Sequence, residues 1–114
     1  MINRVILAGR VIQTPVTEQT GNGRTLTVFE LEVTHPRWGE AIPECCTVRV
    51  LCAHEARGEV LRRFCEAGRS LAVTGALVEE AHGLSVNLEG FEFLGRDIKT
   101  RYLRHEAWAL NDAA

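Results

Sequence analysis

The apolar positions along the chain change period several times, and each change predicts an element. Residues 3–13, Asn-Arg-Val-Ile-Leu-Ala-Gly-Arg-Val-Ile-Gln, are dense in β-branched and apolar side chains. They predict a long, bent first strand, with Gly9 marking a bulge or sharp bend. Thr14-Pro15 interrupts it, because proline cannot donate to a central ladder, and Thr20-Gly21-Asn22-Gly23 supplies the residues of a hairpin turn. In the strand that follows, residues 24–34, Phe29, Leu31 and Val33 alternate with Glu30, Glu32 and Thr34, so one face goes to a core and the other outward. Leu26 is out of phase with that series and predicts a second bulge. Pro36, Gly39 and Pro43 predict an exposed loop over residues 35–43 with Trp38 at its centre, and a third strand is expected over 45–53.

Over residues 54–67 the pattern becomes helical. Val60, Leu61, Phe64 and Cys65 share one face while Glu55, Arg57, Glu59, Arg62, Arg63 and Glu66 fill the other, and Gly68 fits the position just past a helix end. Two more strands are expected, 70–80 and 84–94, joined by the short turn Ala81-His82-Gly83. By their spacing Phe29, Phe64, Phe91 and Phe93 belong to the core. Three strands, one helix and two strands, with a bent first strand, is the layout of an all-β, five-stranded OB-fold barrel whose helix lies between strands 3 and 4. The domain is expected over residues 1–95. Residues 96–114 are a C-terminal extension, ending in a short helix or frayed tail, whose first part, 96–104, carries Arg96, Lys99, Arg101 and Arg104 against Asp97, 4 minus 1 or +3.

The 114 residues suffice for one core and exclude a second domain. No run approaches the roughly 20 apolar residues of a membrane helix, and the start lacks the pattern of a secretory signal, so a cytoplasmic protein is expected. Fifteen acidic against 13 basic residues give a net charge of -2, which removes the global positive field of a strongly basic nucleic-acid binder. The cysteines at 45, 46, 52 and 65 have no metal-ligand spacing and are expected as reduced thiols, with no metal and no cofactor. Cys52 near His54 lacks a third group to orient the pair, and no phosphate loop, carboxylate pair or nucleophile elbow is present, so catalysis is not expected.

Met1-Ile2-Asn3-Arg4-Val5-Ile6-Leu7-Ala8-Gly9-Arg10 resembles the first strand of bacterial single-stranded DNA-binding proteins. Gly21-Asn22-Gly23 followed by Phe29-x-Leu31 is similar to their first hairpin, and Glu66-Ala67-Gly68-Arg69-Ser70 with Leu71-Ala72-Val73-Thr74-Gly75 is similar to their approach to strand 4. Gln13-Thr14-Pro15, Phe29-Glu30-Leu31-Glu32 and His54-Glu55 also resemble primosomal replication protein N (PriB), of the same superfamily. The resemblance spans about residues 2–95. It implies an OB-fold homodimer or homotetramer that binds single-stranded DNA without strong sequence preference in replication, recombination or repair, through a basic groove and stacking aromatics. It also implies the alternative of a PriB-like protein-interaction module with weak binding, and it leaves RNA open as a ligand.

Three departures from the resembled pattern bear on function. Between Trp38 and Phe64 there is no aromatic residue, whereas the tetrameric family stacks bases on strand 3. The hairpin between strands 4 and 5 is short, and the acidic, apolar-tipped tail that recruits partners is missing. The candidate nucleic-acid contacts are Trp38, for stacking or for packing against its own barrel or another subunit, Arg37 beside it, and Arg4, Arg10, Arg24 and Arg49 on or next to strands 1–3. Those arginines form either a basic track or, with Glu30 and Glu32, a mixed surface. The two-sided apolar character of strand 1, through Val5, Ile6, Leu7, Val11 and Ile12, makes it the expected edge for pairing with a second copy.

Overall fold

A computed structural model describes residues 1–35 and 44–95. The chain forms β1 (Val5–Val11), β2 (Val16–Gln19), β3 (Thr25–His35), β4 (Glu44–Cys52), α1 (Glu55–Phe64), β5 (Ser70–Glu80) and β6 (Gly83–Phe93). The sheet order is β1-β5-β6-β4-β3-β2, and β1 also pairs with β3. That last pairing closes five of the strands, β1, β3, β4, β6 and β5, into the expected OB barrel, while β2 lies on the outer edge of β3. All contacts in the ring are antiparallel except β4 with β6.

The alternation of β3 is realised in its burial, with Phe29 and Leu31 inside the barrel beside Val50, Leu71, Val73, Val86 and Leu88. Val11 on β1 joins this core, as do Leu61 of α1 and Cys65, the residue that caps its end. Gly58 allows α1 to sit that close to β3, because a Cβ there would stand 2.3 Å from Oγ1 of Thr27. Arg62 also donates to that hydroxyl, so the buried Thr27 side chain is not left without a partner.

The structure corrects several local expectations. The first strand ends at Val11, and the four residues after Pro15 form a separate strand, β2, paired with β3 from Val16↔Val28 to Gln19↔Thr25. Pairing of β1 with β5 runs unbroken through Gly9, so no bulge lies there. The glycine is needed for closure, since a Cβ would stand 2.1 Å from the carbonyl oxygen of Glu32 on β3. Leu26 needs no bulge either. Its strand keeps continuous register with β2 and β4, and Leu26 shares the outward face with Val28 and Glu30. The one register shift between β5 and β6 falls at Thr74/Gly75.

The helix stops a turn earlier than expected, at Phe64, with Cys65 as its cap. Gly68 therefore serves the next turn instead, with φ of 86°, its N–H donating to the Val11 carbonyl at 2.7 Å. Phe64 is not core. Gly58, Leu61 and Cys65 form the buried stripe, while Phe64 flanks it at 52% exposure with the Arg63 guanidinium 5.4 Å from its ring centroid. Phe91 and Phe93 do pack against the core, edge to face with centroids 5.6 Å apart.

Candidate nucleic-acid interface

In OB folds, oligonucleotides run over the outer face of the second and third barrel strands, between the loops that border it. Here that face is formed by β3 and β4. The β2–β3 turn borders it on one side and the β5–β6 turn on the other. The first turn is built by Thr20-Gly21-Asn22-Gly23 as its sequence predicts. Gly23 takes a φ of 84°, and the Thr20 hydroxyl accepts from the Arg24 N–H at 3.1 Å. The second is as short as expected, since Glu80 and Gly83 already pair and only Ala81 and His82 lie between.

Cross-strand register fixes what the face presents. Glu30 lies opposite Arg49, Glu32 opposite Thr47, and Arg10 of β1 opposite Glu32, so these side chains share one surface. Arg10 and Glu32 form an ion pair at 3.6 Å. Arg49 is held more firmly. Its Nη1 and Nη2 donate to the two carboxylate oxygens of Glu18 at 3.2 and 2.9 Å, and its Nε donates to Glu80 at 3.0 Å. Glu18 belongs to β2 and Glu80 to the end of β5, so one guanidinium links the two hairpins that border the face. Ser85 of β6 donates to the same Glu80 oxygen that Arg49 uses.

The titration behaviour follows from these contacts. Hydrogen bonding to Arg49 holds the Glu18 carboxyl below its usual range. Ser85 first, and then Arg49, does the same for Glu80, and the two carboxylates push the guanidinium up. Between the positions of Glu18 and Arg49 lies the register pair Val28 and Leu51, only 4% and 7% exposed although it faces outward. Among the described residues, the outward positions of β3 and β4 carry no aromatic side chain.

Of the arginines singled out by sequence, Arg10 and Arg49 are thus brought onto one face, each beside glutamate. Arg24 sits exposed at the base of the β2–β3 turn, bordering the same face. Arg4 precedes β1, about 20 Å along the strand from Arg10 at roughly 3.3 Å per residue, and is not part of that group. Arg37, Trp38 and the basic extension 96–114 lie outside the described residues. Glu18 and Glu80 were not singled out by sequence. Nothing in their local sequence points to an arginine 31 residues away, and only the folded barrel places both against Arg49.

The cysteines show no arrangement for chemistry among the described residues. Cys45 and Cys46 are exposed and free, while Cys52 and Cys65 are free and buried. Burial raises the Cys52 thiol and pushes that of Cys65 up to about 11. The His54 imidazole is occupied as the helix cap, with Nδ1 accepting from the Arg57 N–H at 3.2 Å, while the Cys52 thiol donates to the His54 carbonyl. Among the described residues no group of three or more His, Cys, Asp or Glu is placed to hold a metal, and no helix is long and apolar enough to cross a membrane.

Solved structures with similar barrels include those of three proteins. A Plasmodium falciparum SSB in complex with ssDNA superposes with a TM-score of 0.70 at 17% identity, covering 83% of this chain and 96% of that one. A mitochondrial single-stranded DNA-binding protein from S. cerevisiae gives 0.70 at 12% identity, covering 85% and 98%. PriB from Ralstonia solanacearum gives 0.65 at 24% identity, covering 82% and 99%. Comparison with curated proteins gave no significant match. The sequence profile of the Single-strand binding protein family matches residues 2–82, which takes in every element from β1 to β5, and the chain belongs to that family.

Proposed function

We propose that this chain is a single-stranded DNA-binding protein that acts in DNA replication, recombination or repair, by binding rather than catalysis and without strong sequence preference. The observation that carries this reading is the family match over residues 2–82, on a closed barrel whose β3–β4 face is bordered by two turns. Arg10, Arg24 and Arg49 would meet phosphates on that face, with Arg4 and Arg37 as further contacts and Trp38 as the stacking group. Fluorescence titration of Trp38 and Trp108 with oligo-dT tests it. Quenching that weakens as salt rises is expected. No signal at low salt with high micromolar protein refutes it, and oligo-U in parallel decides between DNA and RNA.

A second reading, a PriB-like interaction module with weak DNA binding, is favoured by one observation. The described part of the face holds no aromatic side chain, and Arg10 and Arg49 are already paired with carboxylates. Replication or repair proteins retained from nuclease-treated lysate, together with weak oligo-dT binding, would select this reading.

We further propose a cytoplasmic homo-oligomer, dimer or tetramer. Two exposed free thiols at Cys45 and Cys46 suit a reducing compartment. β1 pairs with β5 from Val5 to Arg10, but β3 reaches it only at Arg10 and Val11, and Ile6 is 70% exposed beside that edge. Light scattering should give at least twice the 12.7 kDa chain mass, and a monomer at tens of micromolar would refute it.

A further inference from the structure

The clamp on Arg49 resembles the way a guanidinium holds a backbone phosphate. Its fork donates two parallel bonds to one two-oxygen anion, Glu18, and Nε donates to a second, Glu80. A phosphate diester also offers a pair of anionic oxygens that the guanidinium fork can bind bidentately, so both ligands compete for one set of donors. Resting on the reading that single-stranded DNA runs over the β3–β4 face, we propose that Arg49 is a phosphate-binding residue held in reserve. In this proposal Glu18 and Glu80 occupy the positions of two phosphates, and DNA engages Arg49 only by displacing them.

Three features distinguish this from a simple staple between hairpins. The side chains are open to water, Arg49 at 34%, Glu18 at 46% and Glu80 at 25% exposure, so an incoming strand can reach them. Glu80 keeps the Ser85 hydroxyl as a hydrogen-bond donor after Arg49 leaves, so its displacement does not leave the carboxylate without a partner. The β2–β3 hairpin is already fixed by four register pairs and by the bonds of the Thr20 turn, and does not need the ion pair to stay in place. Arg10 offers the contrast, with a single looser contact to Glu32 and a side chain 68% exposed.

The salt dependence of binding gives a quantitative test. While carboxylates neutralise Arg49, its contact with a phosphate releases no extra counterion. Once freed, Arg49 should steepen the slope of log K against log salt by about 0.7, which corresponds to roughly fivefold tighter binding at 0.1 M salt. Anisotropy of fluorescein-labelled oligo-dT, from 0.05 to 0.3 M NaCl, is measured for the wild type, E18Q/E80Q, R49Q and E18Q/E80Q/R49Q, with thermal melts to confirm folding. E18Q/E80Q should bind about fivefold more tightly than the wild type with the steeper slope, and the triple variant, which lacks the freed guanidinium, should show no gain over R49Q. If E18Q/E80Q binds as the wild type does, or if the gain survives in the triple variant, the proposal is overturned. The second result would leave only a general effect of removing acidic charge. Binding by E18Q/E80Q alone would support the reserve, whereas no binding by any variant would overturn both the reserve and the DNA-binding reading.

Discussion

Gly9→Ala probes how the barrel closes. The added methyl would lie 2.1 Å from the Glu32 carbonyl oxygen and 3.0 Å from its carbon, both backbone atoms of β3 that no rotamer change can move away. A carbon and a carbonyl oxygen rest about 3.3 Å apart at closest, so β1 and β3 must separate locally by about 1 Å. The contacts at risk are the Arg10↔Glu32 and Val11↔Leu31 pairings and the bond from the Ile12 N–H to the Glu30 carbonyl, now 3.0 Å. An extra ångström takes such a bond out of hydrogen-bonding range. Overpacking costs about 1–3 kcal/mol and each lost bond about 1 kcal/mol, while alanine recovers about 0.5–1 kcal/mol of backbone entropy, for a net loss of about 2–3 kcal/mol. For a domain of this size each kcal/mol lowers the melting midpoint by about 4–8 °C, so a fall on the order of 10–20 °C is expected in a thermal scan followed by circular dichroism. Gly21→Ala serves as the control, because nothing lies within 4 Å of a Cβ there, and it should melt within about 2 °C of the wild type. A Gly9→Ala protein that melts with the control would show that β3 does not hold β1 in the way described.

Leu61→Ala should destabilise by about 2–5 kcal/mol because its side chain is fully buried between helix and barrel, whereas Phe64→Ala, about one helical turn further on but half-exposed, should cost well under half as much in urea titrations. The carboxyls of Glu18 and Glu80 lie below their ordinary value of 4.5 in the folded state. They therefore add stability above that pH, and it is lost as pH falls through their lower folded values. R49Q should flatten the fall in melting temperature below about pH 4.5, most of all through Glu18, and an unchanged acid limb would refute the link. In the native protein a thiol reagent at pH 8 should modify Cys45 and Cys46 and reach Cys52 and Cys65 only after denaturation, and four equally fast thiols would contradict their burial. Truncation after Gly95 should weaken oligo-dT binding and flatten its salt slope if the +3 segment 96–104 meets phosphates.

What was legible in the sequence was whatever depends on neighbours a few positions away. The alternation of Phe29, Leu31 and Val33 announced β3, Thr20-Gly21-Asn22-Gly23 announced its turn, and the spacing of Leu61 and Cys65 announced a helix packed on one side. β2 escaped notice because Val-Thr-Glu-Gln has one apolar residue and all four positions are exposed. Its reason for being a strand is the hydrogen-bonding edge of β3 rather than burial. Gly9 was noticed but its purpose was not, since the atom it makes room for belongs to Glu32, more than twenty residues away. The same holds at the candidate site. Arg49 and its neighbour Glu30 are visible from strand pairing, but its real partners, Glu18 and Glu80, come from two other hairpins. An arginine in a sequence carries a charge; whether that charge is available is decided by the fold.

The pairing of β1 with β5 also sets the order in which the molecule can be made. β1 leaves the ribosome ahead of the other barrel strands, yet its long partner begins at Ser70, and Val5 waits for Gly75. β4 likewise finds β6 only at Val86 and Asn87. Until then the nascent chain can form the β2–β3–β4 meander from local contacts, but Leu7 and Val11 have no barrel to enter. Closure is thus a late, long-range event that places folding toward the slower end for small domains, and the earliest strand of the barrel is the one that remains longest without its lid.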